Sequence, residues 1–244
     1  MKKRFGFWVI CLRQIARLFV PRISFNPADY PQLDLNRPTV FVTHHENLKG
    51  PLRIIIWTPI FMRTWVFAKL VDQKTCYRHF SRFTFSKRFG LPLWLAKTIA
   101  WPTSWITAFT LKQARVIPVY RKNKEIKQTF ATSLEALSQG VPILIMPDVD
   151  YANDTDQVGK IYEGFLAIDR LYQKRFKDHI QFVPIYANKN LRKMQVGKVH
   201  AFTGELSFRK EARIVAQKLR QDLNRLIDTD QEDPAKEKKV LSKD

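Results

Sequence analysis

Residues 39–51 read TVFVTHHENLKGP. A run of β-branched and aromatic residues stops abruptly at two adjacent histidines and a glutamate: His44, His45 and Glu46. An apolar run this short, with turn-like residues after it, suits a strand buried on both faces. Two of only five histidines in the chain stand at its end. A histidine there would be held by a sheet yet remain open to a substrate. A solvated pair in a polar loop fits the local sequence equally well, so the remainder of the chain has to decide.

Working outward, four more short apolar runs read as strands: 64–69 (TWVFAK), 116–120 (VIPVY), 143–146 (ILIM) and 181–186 (QFVPIY). Helical patterns separate them. Over 125–138, Ile126, Phe130, Leu134 and Leu137 recur at spacings of four, four and three, which is one helix face, and Gly140 stops that helix. Residues 208–227 form a last amphipathic helix. Strands alternating with helices predict an α/β fold with a single sheet flanked by helices. The length suits one sizeable domain. From Asp228 onward the chain is charged and nearly free of apolar residues, which predicts a disordered tail over 228–244.

The net charge of +20 is unevenly placed. Residues 1–124 hold 22 Lys/Arg and four acids (Asp29, Asp34, Glu46, Asp72), whereas the remainder holds 20 basic and 18 acidic residues. One half of the chain is built to meet something anionic. Its apolar stretches select a membrane surface over nucleic acid. Residues 5–20 (FGFWVICLRQIARLFV) follow a basic start and are too short to span a bilayer, which needs ~20 apolar residues. No cleavage site for a signal peptide follows them. Residues 1–22 therefore read as a basic amphipathic helix lying in the interface, with its Lys and Arg at lipid phosphates. Residues 91–111 carry one charge and three tryptophans (Trp94, Trp101, Trp105), and Pro102 predicts two short helices rather than one. The expected location is the cytoplasmic face of the cell membrane, peripheral or monotopic. Cys11 and Cys76 lack metal or redox spacing and read as free thiols. No metal set and no Gly-rich phosphate loop is present.

In this order the landmarks resemble the glycerolipid (lysophospholipid) acyltransferase superfamily over residues 38–187. TVFVTHHENLKGP is similar to that family's first block, a strand ending in His with Asp four residues on. VIPVYR, closing on Arg121, resembles the second block; ILIMPDVDY resembles the third, an apolar strand running into Pro-Glu-Gly; FVPIYA around Pro184 resembles the fourth. The resemblance implies a membrane-bound enzyme of phospholipid biosynthesis, with 23–227 as the acyltransferase-like domain. It would move a fatty acyl group from acyl-CoA or acyl-carrier protein to a lysophospholipid or glycerol-phosphate-like acceptor, with no bound cofactor. A histidine would be the general base, because a neutral imidazole accepts a hydroxyl proton near pH 7. Arg121 would clamp the acceptor phosphate, and Lys69 and Gly164 (in KIYEGFLAIDRLY) match further substrate-binding positions.

The chain departs from the pattern at the aspartate. Four residues after His44 stands Lys49, and four after His45 stands Gly50. Strand length favours His44 as the base, whereas alignment to the family's Asn-His pair favours His45, toward which the reading inclines. The orienting carboxylate is sought among Glu46, Asp148 and Asp150. A non-catalytic lipid-binding relative of the same fold is the second reading, motivated by that departure. Nucleic-acid binding is the third, resting on the basic aromatic stretch 74–90; no zinc spacing or RNA-binding motif accompanies it.

Overall fold

The computed structural model describes residues 4–120, 125–149 and 157–231. In chain order its elements are α1 (Phe7–Phe19), β1 (Thr39–Val42), α2 (Lys49–Trp57), β2 (Arg63–Phe67), α3 (Gln73–His79) and a π-helical segment (Phe80–Arg88). These are followed by α4 (Leu93–Gln113), β3 (Ile117–Val119), α5 (Ile126–Ser138), β4 (Ile143–Ile145), α6 (Ala167–Phe176), β5 (Gln181–Asn188), β6 (Lys193–Val196) and α7 (Phe208–Gln231). The fold is α/β, with strands of mixed direction and helices between them. The chain divides into two compact units, residues 1–14 with 63–135 and residues 15–62 with 136–244.

The larger unit is ordered by β1. Every residue of β1 is buried, as is every residue of β5. Parallel pairing sets Val40 against Ile143 and Val42 against Ile145 on one side, and Val40 against Phe182 and Val42 against Pro184 on the other. Pro184 cannot donate to a ladder, and it sits where the β1–β5 ladder ends. On its far side β5 pairs antiparallel with β6, from Ile185↔Val196 to Asn188↔Lys193. Phe41, Ile54, Met62, Leu144, Val183 and Ile185 pack into the core. Gly140, at φ +66°, turns the chain after α5 as expected. Helix α7 runs to Gln231, past the predicted boundary at Asp228, because Asp230 accepts from the Tyr186 hydroxyl at 3.0 Å and the Asn190 amide at 2.9 Å.

In the smaller unit β2 and β3 pair in parallel, Trp65 opposite Ile117 and Phe67 opposite Val119. Its main helix corrects the expectation at Pro102: α4 is one continuous helix of 21 residues with Pro102 inside it. A proline inside a helix costs ~3 kcal/mol or more. Here it lies on the exposed side, and the face opposite it is locked by small residues. Ala96, Ala100, Ser104 and Ala108 are buried at a spacing of four. The large apolar residues point the other way, with Trp94, Trp101 and Trp105 71%, 62% and 55% exposed. The start of α1 joins this helix through the Gly6 amide on the Gln113 carbonyl (2.9 Å) and Trp8 Nε1 on Thr110 Oγ1 (3.0 Å). No helix among the described residues is long and apolar enough to cross a membrane.

Two arginines of helix α1 reach protein groups. Arg17 donates to the Ile56 carbonyl at 3.1 Å and stands over the Trp57 ring, and Arg13 stands over Phe5. Phe7, Leu18 and Phe19 are the most exposed apolar residues of the helix, each 81%. The Arg17 guanidinium thus serves a protein carbonyl and a ring, where its planar fork finds fixed partners.

Packing makes a direct forecast. Ala100→Leu, on the buried face of α4, should cost about 1–3 kcal/mol through overpacking. Trp101→Ala, one residue on, should stay within about 0.5 kcal/mol of wild type. Urea denaturation of both variants checks this, and the opposite ranking would mean that the helix faces have been assigned the wrong way round.

Candidate functional site

The C-terminal ends of parallel strands, where the following loops diverge, are where open α/β sheets place their sites. In the larger unit β1 and β4 are neighbours and both run to that edge. Thr43 extends the ladder by one bond, its N–H on the Ile145 carbonyl at 3.0 Å, and His44 follows. From β4 the chain passes through Met146 and Pro147 to Asp148. That segment is held by antiparallel contacts with residues 160–162. The Tyr162 amide donates to the Pro147 carbonyl at 2.8 Å, the Val149 amide donates to the Lys160 carbonyl at 3.1 Å, and Asp148 bridges Ile161.

The two strand ends bring His44 and Asp148 together. Asp148 Oδ1 lies 2.7 Å from His44 Nδ1, and Oδ2 accepts the His45 backbone N–H at 2.9 Å. Both side chains are close to fully buried, 6% and 5% exposed. A carboxylate only accepts, so in the neutral imidazole this contact places the proton on Nδ1 and the lone pair on Nε2. That is the tautomer a general base requires, with the carboxylate placed to stabilise the imidazolium formed on protonation. Of the two described carboxylates considered from sequence, Glu46 and Asp148, it is Asp148 that contacts an imidazole, and that imidazole is His44's, whereas the sequence reading inclines to His45.

Glu46 is engaged elsewhere. Its carboxylate lies 3.2 Å from Arg53 Nη1 and 2.9 Å from Lys189 Nζ. Glu46 (φ +42°) and Leu48 (φ +73°) are both left-handed, conformations that cost a non-glycine residue about 1–3 kcal/mol each. Leu48 returns its N–H to the His45 carbonyl at 2.7 Å. Gly50, at the position where one register of the family pattern has aspartate, packs against the histidine itself: a Cβ there would stand 2.9 Å from the His44 carbonyl oxygen. Beyond Glu46, Tyr186 is pushed well above its ordinary pKa by burial first and then by the Glu46 and Asp230 charges, with Arg53 opposing. Its hydroxyl is therefore a neutral donor to Asp230.

The other expected site residues disperse. Gly164 lies in the same unit, in a 3₁₀ turn (Glu163–Leu166) two residues beyond the Tyr162 amide that anchors Pro147. Lys69 belongs to the smaller unit, where its ammonium stands 5.6 Å from the Phe67 ring centre. Arg121 and Asp150 lie outside the described residues. Arg53 and Lys189 were not anticipated. Lys189, directly after β5, is the one that sequence could have flagged, because it too follows the C-terminal end of a parallel strand.

Two further His–Asp pairs show that pairing alone does not define a site. His179 Nδ1 lies 2.9 Å from Asp169, whose other oxygen accepts the Ile180 N–H at 2.8 Å. This repeats the Asp148 geometry at the opposite, N-terminal end of β5. His200 Nε2 lies 2.8 Å from Asp222 on α7. Both staple segments into place, and a left-handed residue, Lys177 at φ +62°, precedes His179 as well. His79 stacks on Phe83 and is lowered in pKa by burial. Among the described residues no group of three or more His, Cys, Asp or Glu is placed to hold a metal ion. The cysteines are free, and burial pushes the Cys76 thiol to about 11.

Comparison with family models, with curated proteins and with solved structures returns no match for this chain.

Gly50→Ala should lower stability by about 1–3 kcal/mol, since the His44 carbonyl or the start of α2 must shift to admit the methyl group. Gly159→Ala meets nothing within 4 Å and should be neutral or slightly stabilising. Paired denaturation curves test the contrast, and equal stability for the two variants would remove the close approach from the picture.

Proposed function

We propose that the protein is an acyltransferase acting at a membrane surface, with His44 as general base and Asp148 as its orienting carboxylate. The observation that carries this reading is the contact of one buried carboxylate with both the His44 ring and the His45 amide. His44 Nε2 takes the proton of an acceptor hydroxyl while that oxygen attacks the carbonyl carbon of an acyl thioester. The C–O bond forms, the C–S bond breaks, and the imidazolium returns its proton to the departing thiolate. Asp148 stabilises the imidazolium throughout. The resemblance of the four sequence blocks supports the choice of an acyl-CoA or acyl-carrier-protein donor and of a lysophospholipid-like acceptor. Arg121 keeps the phosphate-clamping role that the same resemblance implies.

The smaller unit supports a membrane location. It holds 18 Lys/Arg against three acids (Asp72, Glu125, Glu135). Its α4 turns Trp94, Trp101, Trp105, Ile106 and Phe109 outward. Positive charge beside outward aromatic residues fits the headgroup region of an anionic bilayer. Cosedimentation should therefore be stronger with anionic than with neutral vesicles, and W101A/W105A/F109A should weaken it. Undiminished binding of that variant would move the contact away from α4.

The catalytic assignment is tested with purified protein, acyl-CoA or acyl-carrier protein, and a 1-acyl-glycerol 3-phosphate acceptor. His44→Ala should lose about 10²–10⁴ in rate, Asp148→Asn should reproduce most of that loss, and His45→Ala should retain most activity. A wild-type rate for His44→Ala would refute the base. Absence of transfer by the wild type with every thioester donor would favour the lipid-binding reading instead.

A further inference from the structure

We infer that Glu46 is a positioning residue for the His44–Asp148 pair. Through Arg53 and Lys189 it braces the left-handed loop that carries the His45 amide onto Asp148. The loop needs a brace because Glu46 and Leu48 both hold positive φ, and a chain free to relax would leave that region. Three contacts oppose relaxation. The Leu48 N–H reaches back to the His45 carbonyl, and Gly50 lies against the His44 carbonyl. The third is the Glu46 carboxylate, only 12% exposed, held between Arg53 of α2 and Lys189 beyond β5.

The third contact closes a ring. Val42 of β1 is paired with Pro184 of β5, β5 leads to Lys189, Lys189 grips Glu46, and Glu46 returns to His44 through His45. The Lys189 end is itself anchored, since Asp230 of α7 accepts from both the Tyr186 hydroxyl and the Asn190 amide. Two cations, Arg53 and Lys189, contact the one Glu46 carboxylate.

Two single substitutions separate a brace from an effect of charge. Glu46→Gln removes a negative charge and Lys189→Met removes a positive one, so an influence by charge alone would act on the pair with opposite signs. Loss of a brace acts in the same direction in both. The readout is hydrogen exchange of the His45 amide, which donates to Asp148, alongside kinetics. Both variants should exchange this amide about tenfold faster, with the amides of Val40–Val42 unchanged. In both, kcat should fall several-fold with KM unaltered. The double variant should be no worse than Glu46→Gln alone, because the two residues belong to one contact. Unchanged His45 exchange in both variants, effects of opposite sign, or acceleration spreading into Val40–Val42 would each overturn the inference. The kinetic arm rests on the acyl-transfer reading and the exchange arm does not. If the wild type transfers no acyl group while His45 exchange rises in both variants, the brace stands and the acyl-transfer reading falls.

Discussion

Asp148 spends both of its oxygens on one two-residue stretch, taking the His44 ring with one and the His45 amide with the other. A carboxylate this deeply buried is tolerable only when hydrogen bonds replace the water it has lost. Much of the local architecture follows from that requirement. The strand β4 must end beside β1, the segment after Pro147 must be fixed from outside, and the chain after His45 must turn sharply away. The contacts of residues 160–162 meet the second condition, and the left-handed residues Glu46 and Leu48 meet the third. A free Asp148 side chain could find water instead. It is the imposed backbone on both sides that makes the histidine contact the available one.

Helices α1 and α4 follow a different logic. Burying a large apolar side chain is worth roughly 1.5–3 kcal/mol, yet α4 buries Ala96, Ala100, Ser104 and Ala108 and leaves its tryptophans outside. α1 likewise turns Arg17 onto a backbone carbonyl and leaves Leu18 and Phe19 exposed. In water alone this pattern forgoes stability on both helices. It ceases to be a loss if the outer faces meet an apolar or interfacial medium, as in the membrane reading proposed here. The smaller unit's excess of Lys and Arg then serves attraction at longer range, while the arginines of α1 serve internal structure.

The sequence displayed the strands because buried parallel strands carry continuous apolar runs. All five expected strands are present, within a few residues of their expected bounds. It did not display β6, whose KMQV is short and polar, nor the continuity of α4 through Pro102. That continuity depends on a buried face of small residues, which composition reads as neutral. The site was half legible. His44 and His45 stood out by position and Asp148 was one of three candidate carboxylates, but it lies 104 residues away from His44, and strand adjacency is what singles it out. Glu46, the nearest carboxylate in sequence, is turned aside by its own positive φ and captured by Arg53 and Lys189, a pairing that no local pattern displays.

Under the acyl-transfer proposal, the departure at the motif aspartate and the position of Asp148 make sense together. Where a histidine and its aspartate share one loop, the loop alone sets their geometry, and residues four apart must curl toward each other. Here His44 and Asp148 follow the ends of adjacent parallel strands, so their alignment depends on the register that pairs Val42 with Ile145. A slip of one residue would carry His44 to the opposite face. On the proposed reading the segment after β4 supplies the carboxylate, and Lys49 and Gly50 serve other ends. Lys49 begins α2, and Gly50 gives α2 its close approach to the His44 carbonyl. On the proposed reading the orienting charge lies at a sheet edge rather than on the histidine's own loop, and Glu46 braces that loop.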